Sequence, residues 1–494
     1  MIELFFLMAT GKDSTELPSC TMKDSLILSL SRDPSTELNI RKDLSFYIMN
    51  ILRLALPNTI AAASWTMQTF ITLYFVGQME NVKIFDAVAL AYTWAGVCGF
   101  SVIFGFASAL DTFVSQSFGS CDYKSCGLVF NKSFAIVSLI LIPCILLQWV
   151  SGFAFRFIGI DEELSMYAGN FTIALIPSIV LYMPHIILEK FLLAQRITKP
   201  QMVFQFLNTL LHPLYCQLFI FWLDLGLYGA AVVRTLSEIL FIPALVIYMK
   251  VSKCCDKTLV APSMSMFKEW NSFLTIAFPS LFMTCLEWWG FEVMNLMTGK
   301  LGVVDLASNV ICFNYGSFIF MTCLGIAIAT GTFVGNSIGE DNITNAKMYV
   351  KVGTMFSLLT AVTLGTITLL FKTFFAKVFT KDEEVVAILD YLLYFMALGT
   401  TLDSIQCSLA KALIAMGKQA YASYVNLISY YVLMLPVGII SGFVLGWRVY
   451  GVWFGIIVAS SSACIGYTYI MYKVDWANLR REIAKGSEEK DYSV

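Results

Sequence analysis

Long apolar segments alternate with short polar segments along the chain from residue 50 to residue 472. A helix needs about 20 predominantly apolar residues to cross a bilayer. Measured against that length, the pattern predicts twelve membrane-spanning helices, at 50–78, 87–113, 133–157, 165–188, 202–223, 226–249, 273–299, 306–333, 348–375, 385–416, 420–445 and 449–472. The predicted fold class is therefore an all-α polytopic membrane protein.

A polar break between the sixth and seventh predicted spans divides the membrane region into two halves of six spans each. The stretch before the first span is polar and Ser-rich, a composition typical of disorder. The predicted organisation is a disordered cytoplasmic tail at 1–45, an amino-terminal lobe at 46–249, a cytoplasmic inter-lobe loop at 250–272, a carboxyl-terminal lobe at 273–472 and a cytoplasmic tail at 473–494.

Lys and Arg are concentrated on one side of the predicted spans. Both tails and the inter-lobe loop contain many of them, whereas the loops on the opposite side contain few. Because basic residues are enriched in cytoplasmic loops, both termini are predicted to be cytoplasmic, which agrees with an even number of spans. We expect a multi-pass monomer in the lipid bilayer of the plasma membrane or of a vacuolar or vesicular membrane.

The composition supports a membrane protein and excludes other classes. Hydrophobic residues make up 58% of the 494 residues and charged residues only 13%, about half the charged fraction of a soluble protein. The net charge is −2 and no basic run with interleaved aromatics occurs, which argues against a nucleic-acid partner. The 13 cysteines are odd in number and scattered, so no disulfide framework is expected.

A segment of the first half of the chain, Gly105–Gly119, is repeated without a gap in the second half, at Gly325–Gly339. The identical pairs are Gly105/Gly325, Ala107/Ala327, Ala109/Ala329, Thr112/Thr332, Phe113/Phe333, Val114/Val334, Ser117/Ser337 and Gly119/Gly339. Nearly the same offset places Pro57 on Pro279. Since each repeat contains six predicted spans, both repeats enter the membrane from the same side. Parallel repeats of this kind leave a central cleft between two lobes and suit alternating access.

Besides Asp390 near the outer end of the tenth span, three acidic residues lie within predicted spans of the second half, where a charge costs roughly 3 kcal/mol on insertion scales. They are Glu287 and Glu292 in the seventh span and Asp403 in the tenth. Glu287 and Glu292 are five residues apart, about 140° around a helix, so they face different directions. Acids without a basic neighbour at this depth suit reversible binding of a proton or of sodium. Trp288 shares a helix face with Glu292, and an aromatic ring beside an acid suits an organic cation.

Other charged residues in the predicted spans have plainer interpretations. Asp111, nearer the cytoplasmic end of the second span, either bonds to a backbone turn or lines a gate. Arg234 and Glu238 are four residues apart on one helix and are expected to neutralise each other. His185 and His212 are isolated in sequence, and each is expected to be a hydrogen-bonded interior histidine.

Four passages carry a resemblance to a known family. They are Ala107–Thr112 with Gln116 and Gly119, Cys285–Trp289 with Phe291 and Glu292, Leu402–Gln406, and Tyr424–Asn426 with Tyr430, Tyr431 and Pro436. Together they lie in both halves of the chain and resemble the multidrug and toxic compound extrusion (MATE) family, especially its eukaryotic branch.

The resemblance implies a V-shaped protein of twelve helices in which cation binding in the carboxyl-terminal lobe drives export. By position it implies that the coupling and substrate acids are Glu287, Glu292 and Asp403, in a cavity lined by Asn314, Tyr315 and Tyr430. Many prokaryotic members have an aspartate in the first span where this chain has Thr72. A coupling site in the amino-terminal lobe is accordingly not expected.

The leading hypothesis is an antiporter that exports small organic solutes, such as organic cations, xenobiotics or metabolites, in exchange for protons. It would need no cofactor beyond the coupling ion. Alternatives with the same fold are a sodium-coupled antiporter and a flippase for lipid-linked sugars, which would require a strongly basic cleft. An intramembrane enzyme is the alternative of another class. Gly335–Gly339 matches the G-x-S-x-G pattern of hydrolases, but it ends a predicted membrane helix rather than following a strand.

Overall fold

The computed structural model describes residues 44–79, 81–380 and 382–479. These residues form helices, with no strand among them. The long helices are α1 (Leu44–Gly77), α2 (Lys83–Gly119), α3 (Tyr123–Trp149), α4 (Ile176–Ala194), α5 (Lys199–Cys216), α6 (Gly226–Ser252), α7 (Trp270–Thr298), α8 (Val303–Gly339), α9 (Ile343–Leu370), α10 (Glu383–Ala415), α11 (Gln419–Val444) and α12 (Arg448–Lys473). The predicted tails lie almost wholly outside the described residues.

Ten of these helices are long and apolar enough to cross a membrane, counted within the described residues. The other two, α5 and α7, stand where the fifth and seventh spans are predicted. The chain is therefore an all-helical, multi-pass integral membrane protein, and the number twelve stays a prediction.

Helices α2, α4 and α11 depart from the predicted spans or from regular α-helical hydrogen bonding. A helix Glu162–Ala174 runs directly into α4, which restarts with Pro177 in its first turn and continues to Ala194, beyond the predicted end at residue 188. π-helical turns occur at Gly96–Phe100 in α2 and at Leu427–Met434 in α11. Such turns widen a helix locally and are frequent at functional sites.

The interior contains many polar groups, whereas large apolar side chains cover the outside. Leu139, Ile142 and Leu146 of α3 are each at least half exposed, while Gln68, His212 and Asn309 are buried. A surface of this kind is stable in hydrocarbon and not in water. The polar interior is where a membrane protein places its function.

The two copies of the repeated segment pack against each other across the lobe boundary. A side chain at Gly119 would lie 2.0 Å from the backbone oxygen of Asn336, and a side chain at Gly339 would lie 2.0 Å from that of Gln116. Gln116 and Asn336 are equivalent positions of the repeat, so each copy makes the same contact with the other. This pseudo-symmetric contact brings the two backbones together where α2 and α8 end. We call this side of the molecule the closed face.

Two further glycines of the repeat make a second matched pair of contacts. A side chain at Gly105 would lie 2.8 Å from the Cα atom of Leu281 in α7, and one at Gly325 would lie 2.0 Å from the Thr59 hydroxyl in α1. Thr59 and Leu281 have the same spacing as Pro57 and Pro279 in the repeat. Each lobe thus presents its second helix to the first helix of the other lobe.

Side-chain hydrogen bonds reinforce the closed face. Asn336 Nδ2 donates to the backbone oxygens of Ser115 and Ala194 at 3.1 Å each, and its Oδ1 accepts from Arg196. Arg196 also forms an ion pair of 3.0 Å with Glu340. Asn336 alone therefore ties three segments of the two lobes together.

The segment between α6 and α7 packs on the amino-terminal lobe. The Thr258 hydroxyl donates to Gln195 Oε1 at 2.8 Å, and Asn131 Nδ2 donates to the backbone oxygen of Val260 at 2.9 Å. The adjacent thiols of Cys254 and Cys255 lie 3.7 Å apart in this segment. It is an ordered part of the closed face rather than a free tether.

Candidate cation and substrate sites

A hydrogen-bonded cluster inside the carboxyl-terminal lobe joins α7, α10 and α11. The Gln406 amide nitrogen donates to Glu287 Oε1 at 3.3 Å and lies 2.8 Å from the Tyr430 hydroxyl. Tyr430 is fully buried in the π-helical turn of α11, and its ring packs edge-on against Phe291. Gly290 of α7 allows Tyr430 to pack this closely against α7, because a Cβ atom at position 290 would crowd the Tyr430 side chain.

Asp403 lies beside this cluster on α10. It lies three residues before Gln406, on the same face of the helix. Its Oδ1 atom is buried and has no hydrogen-bond partner among the described residues. A buried carboxylate oxygen without a donor is costly unless a proton or another cation compensates it. The interior of this lobe therefore contains two acids, and one of their carboxylate oxygens, Asp403 Oδ1, accepts no hydrogen bond among the described residues.

Glu292 and Trp288 lie on another side of α7. Trp288 stacks on Phe104 of α2 with 5.4 Å between ring centroids, and its neighbour Trp289 donates to the Ser101 hydroxyl at 3.2 Å. This side of α7 faces the amino-terminal lobe. Glu292 follows Trp288 by four residues and so shares its face. Glu287 thus points into the lobe toward Gln406, whereas Glu292 shares the face of α7 on which Trp288 meets the amino-terminal lobe.

Tyr315 of the eighth span, predicted to line this cavity, contacts α9 and the residues after it. The Tyr315 hydroxyl lies 3.0 Å from that of Thr368 in α9, and its ring packs against Phe375. Asn314, the preceding residue, is half-buried. Neither residue is hydrogen-bonded to Glu287 or Asp403 within the described chain. The sequence alone could not show this. It assigns both residues to one helix, but it does not determine how that helix is rotated against its neighbours.

Asp111 lines a small cavity between the lobes instead of bonding to a backbone turn. Its Oδ2 accepts from Lys190 Nζ at 2.7 Å. The cavity, of about 50 Å³, is also lined by Glu189 and by Lys411 of the other lobe. The Phe104 ring lies 4.4 Å from Lys190 Nζ and 5.6 Å from Lys411 Nζ.

Lys190 and Lys411 were not among the residues predicted for the site. The reason is that α4 extends further than predicted, so Lys190 lies inside it and is buried. The adjacent Glu189 and Lys190 within an otherwise apolar stretch were the available signal.

A second charged network lies inside the amino-terminal lobe. Arg234 and Glu238 form the expected ion pair, with 3.1 Å between Nη2 and Oε1. His185 is an interior, hydrogen-bonded histidine, as expected, but its partners are two carboxylates. Its Nδ1 hydrogen-bonds to Glu238 Oε2 and its Nε2 lies 3.4 Å from Glu189 Oε2. Glu238 comes from a different helix, 53 residues away, so only the folded chain shows this contact.

His212 differs from His185 in its surroundings. Its Nε2 lies 2.9 Å from the Thr72 hydroxyl, and its Nδ1 lies 3.2 Å from the Ser237 hydroxyl. It is the hydrogen-bonded interior histidine that the sequence led us to expect.

Two helical lobes with a shared sequence repeat, joined at one face and containing acids inside the bundle, define a polytopic secondary transporter. The G-x-S-x-G segment of α8 is part of the closed face, where Gly335 packs against Ser115. It packs helices and is not a nucleophile elbow.

Comparisons with known proteins identify the family. The MatE family model matches two segments of the chain, 57–218 and 279–440, one in each repeat. The chain belongs to this family, and it is a membrane transporter rather than an enzyme. Members of the family use ion gradients and need no cofactor.

The chain is similar to curated proteins of animals and plants over most of its length. It is 30% identical to multidrug and toxin extrusion protein 1 of Rattus norvegicus, covering 88% of this chain and 79% of the rat protein. It is also 30% identical to Protein DETOXIFICATION 16 of Arabidopsis thaliana, covering 86% and 88%. The crystal structure of the eukaryotic MATE transporter AtDTX14 matches with a TM-score of 0.84 and 27% identity, covering 89% of this chain and 98% of that one.

Proposed function

We propose that this protein is an antiporter that exports small organic cations in exchange for protons. The observation that carries the proposal is the pair of interior acids Glu287, hydrogen-bonded to Gln406, and Asp403, one helical turn before Gln406 with a buried carboxylate oxygen that accepts no hydrogen bond among the described residues. Two negative charges in a low-dielectric interior require positive charge nearby. A proton supplies it when the site is empty of substrate.

Protons are favoured over sodium by the groups that contact Glu287. Its Oε1 already accepts an N–H from Gln406, whereas sodium, a hard cation, would need several oxygen ligands directed at one point. A proton needs only one oxygen. Asp403 Oδ1, buried and without a donor, offers that position.

An organic cation suits the cleft side of α7. Trp288 and Phe104 form a stacked aromatic pair that bridges the two lobes, and Trp288 remains 42% exposed. Glu292 supplies a carboxylate on the same helix face. Aromatic faces beside an acid attract organic cations. The names of the relatives, multidrug and toxin extrusion proteins, describe cargo of this general kind.

A lipid-linked-sugar flippase is disfavoured by the charge of the cavity between the lobes. Lys190 and Lys411 line it, but Asp111 and Glu189 line it as well. The cavity is therefore balanced rather than strongly basic, and it does not resemble a site for a pyrophosphate group. We place both termini and the closed face on the cytoplasmic side, because Lys and Arg are concentrated there.

The test is uptake of tetraethylammonium, a permanent organic cation, into proteoliposomes under an imposed pH gradient and then under a sodium gradient. We expect the pH gradient alone to drive uptake, and Glu292→Gln and Asp403→Asn each to abolish it while the protein stays folded. Glu163→Gln, at an exposed ion pair with Lys83, is the control and should transport normally. Uptake driven only by sodium, or normal uptake in both acid variants, would contradict the proposal.

A further inference from the structure

His185 lies between two carboxylates in the amino-terminal lobe. One ring nitrogen, Nδ1, hydrogen-bonds to Glu238, and the other, Nε2, lies 3.4 Å from Glu189. The side chain of His185 is only 4% exposed and that of Glu238 only 2%, while Glu189 is 30% exposed. Both ring nitrogens of His185 therefore contact carboxylates.

This arrangement determines how many protons the three side chains hold. A neutral imidazole has one N–H and one lone pair, and only the imidazolium can donate from both nitrogens. If both carboxylates are ionised, a neutral ring would direct a lone pair at one of them, which is repulsive. The three side chains together therefore hold one more proton than a neutral histidine with two carboxylates.

The two sides of the ring are not equivalent. Glu238 is fixed by Arg234, at 3.1 Å, and Arg234 lies over the Trp65 ring at 4.7 Å. This buried pairing holds Glu238 ionised and keeps the Nδ1 proton in place. Among the described residues, no arginine or lysine forms an ion pair with Glu189, and Glu189 is the more exposed of the two acids. The exchangeable proton is consequently the one on Nε2.

Glu189 connects the triad to the cavity between the lobes. It lines that cavity with Asp111, Lys190 and Lys411. A proton that leaves Nε2 for the Glu189 carboxylate can pass from there to water in the cavity. After release Glu189 is again ionised, but the neutral His185 no longer balances its charge beside Lys411 of the other lobe, so the state of the triad alters the net charge at the lobe boundary.

We propose that His185, Glu189 and Glu238 form a second proton-binding site, in the amino-terminal lobe, that loads and releases one proton per transport cycle through Glu189. The proposal rests on the proposed function, since it adds to the proton coupling assigned to the other lobe. In the loaded state His185 is an imidazolium between two carboxylates. On release the Nε2–H bond breaks, Glu189 accepts the proton, and His185 is left neutral with its proton on Nδ1.

The other charged and polar groups near the His185 ring keep their protonation state in this scheme. Arg234 remains charged beside Glu238, and Lys190 is paired with Asp111 of α2 at 2.7 Å. The Tyr182 ring packs edge-on with its centroid 5.7 Å from that of His185. Lys411 of α10 is the charged group that the carboxyl-terminal lobe contributes to the shared cavity.

The chain offers an unusually clean spectroscopic test, because it contains only two histidines. Protein labelled with ¹⁵N-histidine in liposomes gives two sets of imidazole signals, which His185→Asn and His212→Asn assign. We expect His185 to show the imidazolium near neutral pH and to lose one proton, from Nε2, between about pH 5 and 9. His212, bonded to hydroxyl groups, serves as the internal control and should remain neutral. A neutral His185 across that range would overturn the proposal.

Substituting the acids tests whether the triad holds the proton. In Glu238→Gln and in Glu189→Gln, His185 should become neutral at a lower pH than in the wild type, because one anionic partner is lost. Unchanged signals in both variants would refute the site. This measurement does not require transport, so it decides the question even if tetraethylammonium is not a substrate.

The transport arm tests coupling. The ratio of protons to tetraethylammonium, measured from the gradients at which net flux is zero, should fall by about one in Glu189→Gln, because the exit carboxylate is lost. Glu163→Gln is again the matched surface control. If the ratio is unchanged in Glu189→Gln, the triad is a structural ion pair and does not contribute to coupling.

Discussion

The substitution Gly339→Ala should weaken the closed face. The added methyl group would lie 2.0 Å from the backbone oxygen of Gln116, and real Cβ atoms keep at least 3.0 Å from such neighbours. The two helix ends must therefore separate by about 1 Å. Overpacking of this size costs about 2 kcal/mol, which corresponds to a roughly 30-fold shift of the conformational equilibrium toward states in which this face is open.

Hydrogen–deuterium exchange measured by mass spectrometry checks this expectation. Peptides covering 109–119 and 325–339 should exchange faster in the variant, because their ends are no longer packed against each other. Transport of tetraethylammonium should slow, since a cycle that requires the face to close spends less time closed. Gly119→Ala meets the equivalent contact with Asn336 and should give the same effect.

Gly399→Ala is the matched control, because an added Cβ at this glycine of α10 meets nothing within 4 Å. It should leave both exchange and transport unchanged. If Gly339→Ala behaved like Gly399→Ala in both measurements, the contact between the two repeat segments would not be the closure between the lobes.

Two further predictions concern this side of the molecule. Asn336→Ala removes two hydrogen bonds to backbone oxygens across the lobe boundary and should weaken the closed face by about 2–3 kcal/mol. Glu340→Gln, at a half-exposed ion pair, should weaken the closed face by less than about 1 kcal/mol. Hydrogen–deuterium exchange compares the two variants, and equal effects would contradict the larger role given to Asn336. The hydrogen bond from Cys255 lowers the pKa of Cys254 to about 7. Its alkylation by iodoacetamide should therefore rise through about pH 7, and in Cys255→Ala this rise should move to higher pH, toward the ordinary thiol range; an unchanged profile would show that Cys255 does not activate it.

The membrane class, the duplication and the acids were readable from the sequence. Apolar segments of sufficient length leave few alternatives to a helical bundle in a bilayer. The repeat was visible because the equivalent glycines and small residues occur at identical spacing in both halves. The structure supplies their physical reason, since Gly119 and Gly339 lie where two backbones touch.

The composition of the interior sites was decided by tertiary structure. Sequence placed Glu287, Glu292 and Asp403 in membrane spans, but it could not show that Gln406 joins Glu287 to Tyr430, because that contact depends on the rotation of three helices. It likewise placed Tyr315 near these acids, whereas the structure turns Tyr315 toward α9.

The charged residues of the amino-terminal lobe show the same limit most clearly. The pair of Arg234 and Glu238 was predicted, since residues four apart on a helix are neighbours whatever surrounds them. The contact of His185 with Glu238 was not, since it joins two helices whose relative rotation follows from packing. Local spacing thus determines which groups share a helix face, and only the packing of the helices determines which groups meet across them.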